Sequence, residues 1–370
     1  MKKGIKNQLS MGLMLSLLVL LLAACGNSAK AEETTNGKAG TKELSLTEIE
    51  SKAKEEGSIV SVGMPDSWAN WKDTWSDMNS KYGLTHSDTD MSSAEEIAKF
   101  DAEKDKPTAD IGDVGIAFGS VAVDKGVTQP YKTSYWDEIP DWAKDKDGNW
   151  IVGYQGTISF LTNTKLVSNP PKSWEDLKNG NYKIIVGDVT KAAQAQMAVL
   201  AAAIAFGGDE SNIEPGIAFF EDLAKKGRLS NAEASLANIE KGEVEVTLLW
   251  DFNALNYRDQ INKDGFAVAI PQEGSVVSGY ATIINKYAPH PNAAKLTRQY
   301  ILSDEGQINL AKGYARPIRD SVTLPEDVAA KLLPKEEYVN AKPVGDYKVW
   351  EETAKTIPQL WQERVLVHLN

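Results

Sequence analysis

The chain has 370 residues, 40 Lys and Arg against 52 Asp and Glu, and a net charge of −12. That acidic balance argues against a nucleic-acid partner, whose phosphates demand clustered Lys and Arg. Three scattered histidines and one cysteine exclude a Cys/His metal cluster and an internal disulfide.

In chain order, Lys2, Lys3 and Lys6 precede an uncharged apolar run over residues 11–24. A membrane span needs about 20 apolar residues, so this shorter run is expected to be a secretory signal peptide over residues 1–24. Leu22-Ala23-Ala24-Cys25 resembles the bacterial lipobox, which implies cleavage before Cys25 and acylation of its thiol. Residues 27–41 hold no large apolar side chain and cannot bury enough surface to offset ordering, so 25–43 reads as a flexible tether. The roughly 327 residues beyond it suit two lobes better than one.

Residues 44–56 have helical spacing and end at Gly57. A β-branched strand at 58–63 runs through a loop at 64–71 into a helix ending at Tyr82. A second cycle starts near His86, and Ser92 or Ser93 with Glu95 or Glu96 resembles a capping box for a helix to 103. A strand at 109–114 and a helix at 116–125 complete the pattern. Alternating β and α elements predict an α/β lobe with a mainly parallel sheet. Ligands of such sheets sit beyond the carboxyl ends of strands, which puts 64–71, 90–93 and 113–115 on one rim. A second α/β set spans about 170–266: a helix opening at Ser173, a strand at 183–187, an alanine-rich helix at 192–206, an amphipathic helix at 215–226 and a strand at 244–249. Extended segments at 266–270 and 280–284 follow, then mostly helix from Ala293.

Five stretches in this order resemble bacterial extracellular solute-binding proteins. They are Ala109-Asp110-Ile111-Gly112-Asp113-Val114-Gly115, Pro170-Pro171-Lys172-Ser173-Trp174-Glu175-Asp176-Leu177, Pro289-His290-Pro291-Asn292-Ala293-Ala294-Lys295, Leu302-Ser303-Asp304-Glu305-Gly306-Gln307 and Gly313-Tyr314-Ala315-Arg316-Pro317-Ile318-Arg319. The branch resembled serves ferric iron, thiamine, polyamines and phosphorylated solutes. The resemblance implies a two-lobed α/β fold, periplasmic-binding-protein-like of type II, with hinge crossings near 152–163 and 266–284. Lobe 1 would begin at 44–155, lobe 2 would span 156–270, and 271–370 would return to lobe 1 and add C-terminal helices. The lobes would close on a small solute and dock on the permease and ATPase chains of an ABC importer. The chain lacks the Gly-x-x-x-x-Gly-Lys-Ser/Thr loop of the ATPase itself. The expectation is an exported monomer without cofactor or enzymatic activity, held to the outer face of the cytoplasmic membrane by lipid alone.

Each candidate ligand-binding residue has a structural alternative. Trp68 and Trp71 either stack on a ligand or anchor the helix that carries Trp75. Ser92 and Ser93, and across the cleft Thr190 and Lys191, either cap helices or offer helix N-termini to an anion. Asp113 either takes a ligand amine or caps a turn. Asp251, at the end of an apolar strand, needs a partner, either a ligand cation or Arg258. Tyr154 and Tyr280 either line the cleft or pack the hinge. Trp, Tyr and Asp suit an organic cation such as a polyamine or thiamine, whereas helix N-termini with Ser, Thr and Lys suit a phosphorylated or phosphonate solute. Ferric iron ranks third, because its binders in this branch use adjacent tyrosines and no Tyr-Tyr pair occurs. A secreted hydrolase is disfavoured: neither Gly-x-Ser-x-Gly nor His-Glu-x-x-His is present.

Overall fold

The structure, a computed structural model, describes residues 44–242 and 244–369; the expected signal peptide, tether and acylated Cys25 lie outside the described residues. Ser45 opens α1 (Leu46–Glu56) by accepting the Glu48 N–H, and the Glu48 carboxylate accepts the Ser45 N–H in return. The anticipated βαβαβα run follows as β1 (Ser58–Val62), α2 (Trp71–Tyr82), β2 (Thr85–Thr89), α3 (Ser93–Ala102), β3 (Ile111–Gly115) and α4 (Ala117–Asp124). The long β4 (Trp150–Asn163) leads into the second half. That half holds α5 (Trp174–Asn179), β5 (Ile184–Ile185), α6 (Ala193–Ala205), α7 (Glu214–Lys225), β6 (Leu229–Ser230), α8 (Leu236–Glu240), β7 (Val246–Trp250) and α9 (Asp251–Ile261). The return comprises β8 (Phe266–Ala269), β9 (Ser275–Ile284), α10 (Pro291–Ile301), α11 (Asp304–Lys312), β10 (Arg316–Pro317), α12 (Glu326–Ala329), β11 (Ala341–Pro343) and α13 (Tyr347–Arg364).

Each half carries three parallel strands, in the order β2-β1-β3 and β6-β5-β7. Between them β9 and β4 run antiparallel to their neighbours. The sheet is therefore mixed, because the strands that carry the chain between halves occupy its centre. Strand β4 does this in one piece. Its first part pairs with β9, from Trp150 opposite Ile283 to Thr157 opposite Val277. From Ile158 onward it pairs with β7, and from Phe160 also with β8. The chain crosses back between β8 and β9. Strand β4 and the segment from β8 to β9 occupy the two stretches that the sequence resemblance named as crossings.

One large apolar cluster spans both halves, including Ile59, Trp71, Tyr154, Phe160, Trp174, Leu200, Phe220, Trp250 and Trp350. Full burial of each large side chain contributes about 1.5–3 kcal/mol. Helix α6 buries eight residues, mostly alanines. Alanine leaves room for α7, whose Gly216 sits so close that a Cβ there would lie 2.3 Å from the Val199 carbonyl oxygen. The apolarity of α6 thus serves helix packing, and no described helix is long and apolar enough to cross a membrane.

Candidate functional site

Strand β3 pairs with β9 beside β4, and its middle residue, Asp113, stands at the centre of an aromatic cluster. Tyr154 of β4 donates its hydroxyl to Asp113 Oδ2 at 2.7 Å, and Trp68 Nε1 donates to the Tyr154 hydroxyl at 2.6 Å. Tyr280 of β9 stacks on Tyr154, with ring centroids 5.7 Å apart and planes within 10°. Trp68 meets Tyr280 and Phe252 edge-on, each at 5.5 Å. Asp113 is 2% exposed, and neither its Oδ1 nor the buried Nε1 atoms of Trp71 and Trp250 make a hydrogen bond of good geometry. Burial pushes the Asp113 carboxyl up to about 8 despite the opposing hydrogen bond from Tyr154 and a looser one from the Trp71 indole.

A second carboxyl lies behind the first. Glu96 Oε2 accepts the Asp113 N–H at 3.0 Å, and burial followed by the Asp113 charge raises Glu96 well above the usual carboxylate range. Two glycines make the space. A Cβ on Gly63 or Gly112 would lie 2.2 Å or 2.5 Å from a Glu96 oxygen. The sequence left the capping-box acid open between Glu95 and Glu96. It is Glu95 that accepts the N–H and hydroxyl of Ser92, at 2.9 and 2.7 Å, while Glu96 turns inward.

Around the aromatic floor several helices begin. Ser93 Oγ, in the first turn of α3, accepts the Gly115 N–H at 3.0 Å. A Cβ built on Gly115 would stand 3.9 Å from both Ser93 Oγ and the Ala193 Cβ, so the starts of α3 and α6 meet at the end of β3. The α6 N-terminus has Ala192 at its cap and no side-chain acceptor on its first N–H groups. Gln194 Oε1 accepts from Trp250 N at 2.8 Å and Asn253 Nδ2 at 3.2 Å, tying the start of α6 to that of α9. Backbone N–H groups at such ends favour anions. A void of about 20 Å³ lies here, lined in part by Gly115, Phe118, Ala193, Trp250 and Tyr280. It shares lining with a chamber of about 570 Å³ between α4, α6 and α13. Volume and chemistry do not coincide: the chamber walls include Phe118, Val121, Met197 and Trp350, whereas Asp113 Oδ1 and the Nε1 atoms of Trp71 and Trp250 lie at the floor. Buried polar groups without partners are costly, which makes the floor the candidate ligand-contacting surface.

The model of a family described as bacterial extracellular solute-binding protein matches residues 106–347. The chain belongs to that family. A periplasmic protein of Salmonella typhimurium named for binding 2-aminoethylphosphonate is 25% identical over 62% of this chain and 67% of its own length. The periplasmic binding protein AfuA from Actinobacillus pleuropneumoniae, solved with fructose-6-phosphate, superposes with a TM-score of 0.69 at 19% identity, over 84% of this chain and 98% of that one. A ferric binding protein from Campylobacter jejuni gives 0.65 at 20% identity, over 82% and 98%. These likenesses give the two-lobed fold of periplasmic binding proteins.

In this solute-binding protein, Trp68, Asp113, Tyr154 and Tyr280 come together, and Ser93 stands at their edge. Trp71 lies beneath them, fully buried and stacked on Trp75 at 5.9 Å, as a helix anchor. Ser92 is occupied by Glu95. The Thr190 N–H and hydroxyl both donate to Asp188 Oδ1, at 3.0 and 2.5 Å, and Lys191 stands 83% exposed, 3.7 Å from Asp188. Both oxygens of the fully buried Asp251 are engaged, Oδ1 by the Thr157 N–H at 2.9 Å and Oδ2 by the Tyr338 hydroxyl at 2.6 Å. The suggested Arg258 partner is a correction: Arg258 pairs with its neighbour Asp259 at 2.7 Å. Among the described residues no cluster of His, Cys, Asp and Glu could hold a metal ion. Sequence reading missed Glu96, Gln194 and Phe252. Only Phe252 had a signal, its place beside Asp251 at a strand end.

Proposed function

We propose that the solute captured by this protein carries a phosphonate or phosphate group, held by the N-terminal turns of α3 and α6 where they meet at Gly115. The observation that carries this is the convergence of Ser93 Oγ and Ala193 on Gly115, with the α6 N-terminus uncapped by any side chain. The phosphonate named for the Salmonella relative and the sugar phosphate in AfuA support it. The protein binds its solute without transforming it and hands it to the permease and ATPase of an ABC importer. It works as a monomer whose acylated Cys25 keeps it at the outer face of the cytoplasmic membrane, with lobe 1 beginning at 44–155, lobe 2 at 156–270, and 271–370 returning.

A ligand panel tests the solute class by thermal shift: phosphonates, sugar phosphates, sulfate, polyamines, thiamine and ferric citrate. A ligand at 100 times its dissociation constant adds about 2.7 kcal/mol of stability. The expected outcome is a rise with phosphonates or phosphate esters. A rise confined to compounds without such a group would sink the anion assignment. Fractionation of cells expressing a Cys25→Ala variant tests the anchor: the variant should leave the membrane fraction.

A further inference from the structure

A chamber of about 570 Å³ opens between α4, α6 and α13. It shares Ala117, Phe118, Ala193 and Met197 with the small void beside Gly115, so the two adjoin at the α6 N-terminus. The void measures about 20 Å³, room for little more than one water. A solute whose anionic end meets the α6 N-terminus therefore has its bulk in the chamber. The chamber's volume suits that task, since small-molecule pockets ordinarily measure about 300–1,000 Å³.

The wall selects the character of that bulk. Phe118 and Val121 of α4, Ala193 and Met197 of α6, and Trp350 and Ala354 of α13 give it an apolar inner face. Polar side chains on the same wall are engaged by the protein. Gln196 donates to the Val189 carbonyl at 3.1 Å, Lys355 pairs with Glu352 at 2.5 Å, Glu351 accepts the Ser120 hydroxyl, and Lys125 lies 3.8 Å from Asp101. A polyhydroxylated group would find little to bond with beyond this charged rim, and a polar group buried without a partner is costly. An alkyl or aryl group instead leaves water for a surface of its own kind. Met197 is unbranched and adapts to the shape it meets.

We infer that the organic part of the captured solute is an alkyl or aryl group, seated in the chamber against Phe118, Met197 and Trp350. The inference rests on the proposed function for the anionic end and adds the other end, so the solute is amphiphilic. That sets it apart from the sugar phosphate in AfuA and from the aminoethyl group named for the Salmonella relative. Exposed Val121 on α4 and half-buried Ala354 on α13 then face solute rather than water.

Calorimetry of the full-length protein with a phosphonate series tests this. The series is methyl-, propyl-, hexyl- and phenylphosphonate, with 2-hydroxyethylphosphonate as the polar match to propylphosphonate and hexylamine as the chain without the anion. Affinity should rise about threefold to fourfold per methylene from methyl to hexyl. The heat capacity of binding should grow more negative along the series. Propylphosphonate should bind at least about tenfold more tightly than 2-hydroxyethylphosphonate. Val121→Glu brings a charge to the wall and Ala354→Phe fills the space, so each should flatten the dependence on chain length. The wild-type slope decides the matter even if both variants fold poorly. A flat series, or equal binding of the propyl and hydroxyethyl compounds, overturns the inference while phosphonate capture stands. Hexylamine binding as tightly as hexylphosphonate upholds the apolar chamber and sinks the anion assignment. Binding by no member overturns both. A ligand-free dimer in sedimentation that Val121→Glu splits would give the chamber to a second copy of this chain, and the inference would fall with it.

Discussion

The cluster stores its chemistry in single residues, and the two most consequential titrate in opposite senses. The folded-state pKa of Asp113 is raised by burial to about 8. Its contribution to stability is complete below the ordinary carboxylate value and is lost as pH rises through about 8. Ligand-free wild type should therefore lose thermal stability from pH 5 to pH 9, and Asp113→Asn, which keeps an oxygen for the Tyr154 hydroxyl, should lose less. A thermal-unfolding series in which the two proteins run parallel would refute this. His86 works at the other end. It stacks on Trp75 at 3.8 Å and touches Ser61 Oγ at 2.8 Å, and burial depresses it to about 4. Its contribution is present above the ordinary histidine value and is lost as pH falls to about 4, so His86→Phe should flatten the acid limb of the same profile. Gly112 is fixed by contact rather than by backbone angle. Gly112→Ala drives a methyl to 2.5 Å from Glu96 Oε2 and should cost about 1–3 kcal/mol in denaturant unfolding.

At the scale of elements, legibility followed locality. Caps whose partners lie three residues away were readable: the Ser173 hydroxyl accepts from Asp176 N and that of Ser303 from Gly306 N. The strands β1 and β3 and the helices α2, α3, α4, α6 and α7 fall within a few residues of the spacing that predicted them. What escaped depends on distant partners. The anticipated five-residue strand at 183–187 shrinks to Ile184–Ile185, because only there do β6 and β7 both supply partners. Helix α9 gave no periodic signal, since its buried residues, Asp251 to Leu255, are consecutive at one end rather than striped. Arg298 of α10 was equally silent, yet it is wholly buried and donates five hydrogen bonds: to the Thr282 hydroxyl and to the carbonyls of Tyr131, Gly148, Asn149 and Thr282. It staples α10 to β9 and to the loop before β4. Arg298→Met would strand those carbonyls, and Arg298→Lys cannot reproduce a planar fork. Both should cost at least about 3 kcal/mol by denaturant unfolding; a loss below about 1 kcal/mol in the methionine variant would show that the loop relaxes to water.

At the scale of the molecule, the resemblance made the two crossings legible, but not the role of the C-terminal helix. Helix α13 touches both halves. Its Arg364 reaches Glu214 and Glu221 of α7, at 2.6 Å each, and its Trp361 packs on Phe220 with ring centroids at 5.3 Å. On the other side, Glu351 accepts the Ser120 hydroxyl of α4. If the halves part to admit a solute, one of these attachments has to yield. The α7 side combines a doubly paired guanidinium with aromatic packing, whereas the α4 side shows one part-buried hydrogen bond, so α13 should travel with α7 and release α4. Ser120→Ala should then leave the fold intact and raise the radius of gyration of the ligand-free protein in solution scattering, while saturating solute restores the compact value. Arg364→Ala should instead lower the melting temperature by a few degrees, as for a loss of about 1 kcal/mol, without opening the molecule. Expansion in the Arg364 variant and none in the Ser120 variant would reverse the assignment and make α4, not α7, the body on which α13 rides.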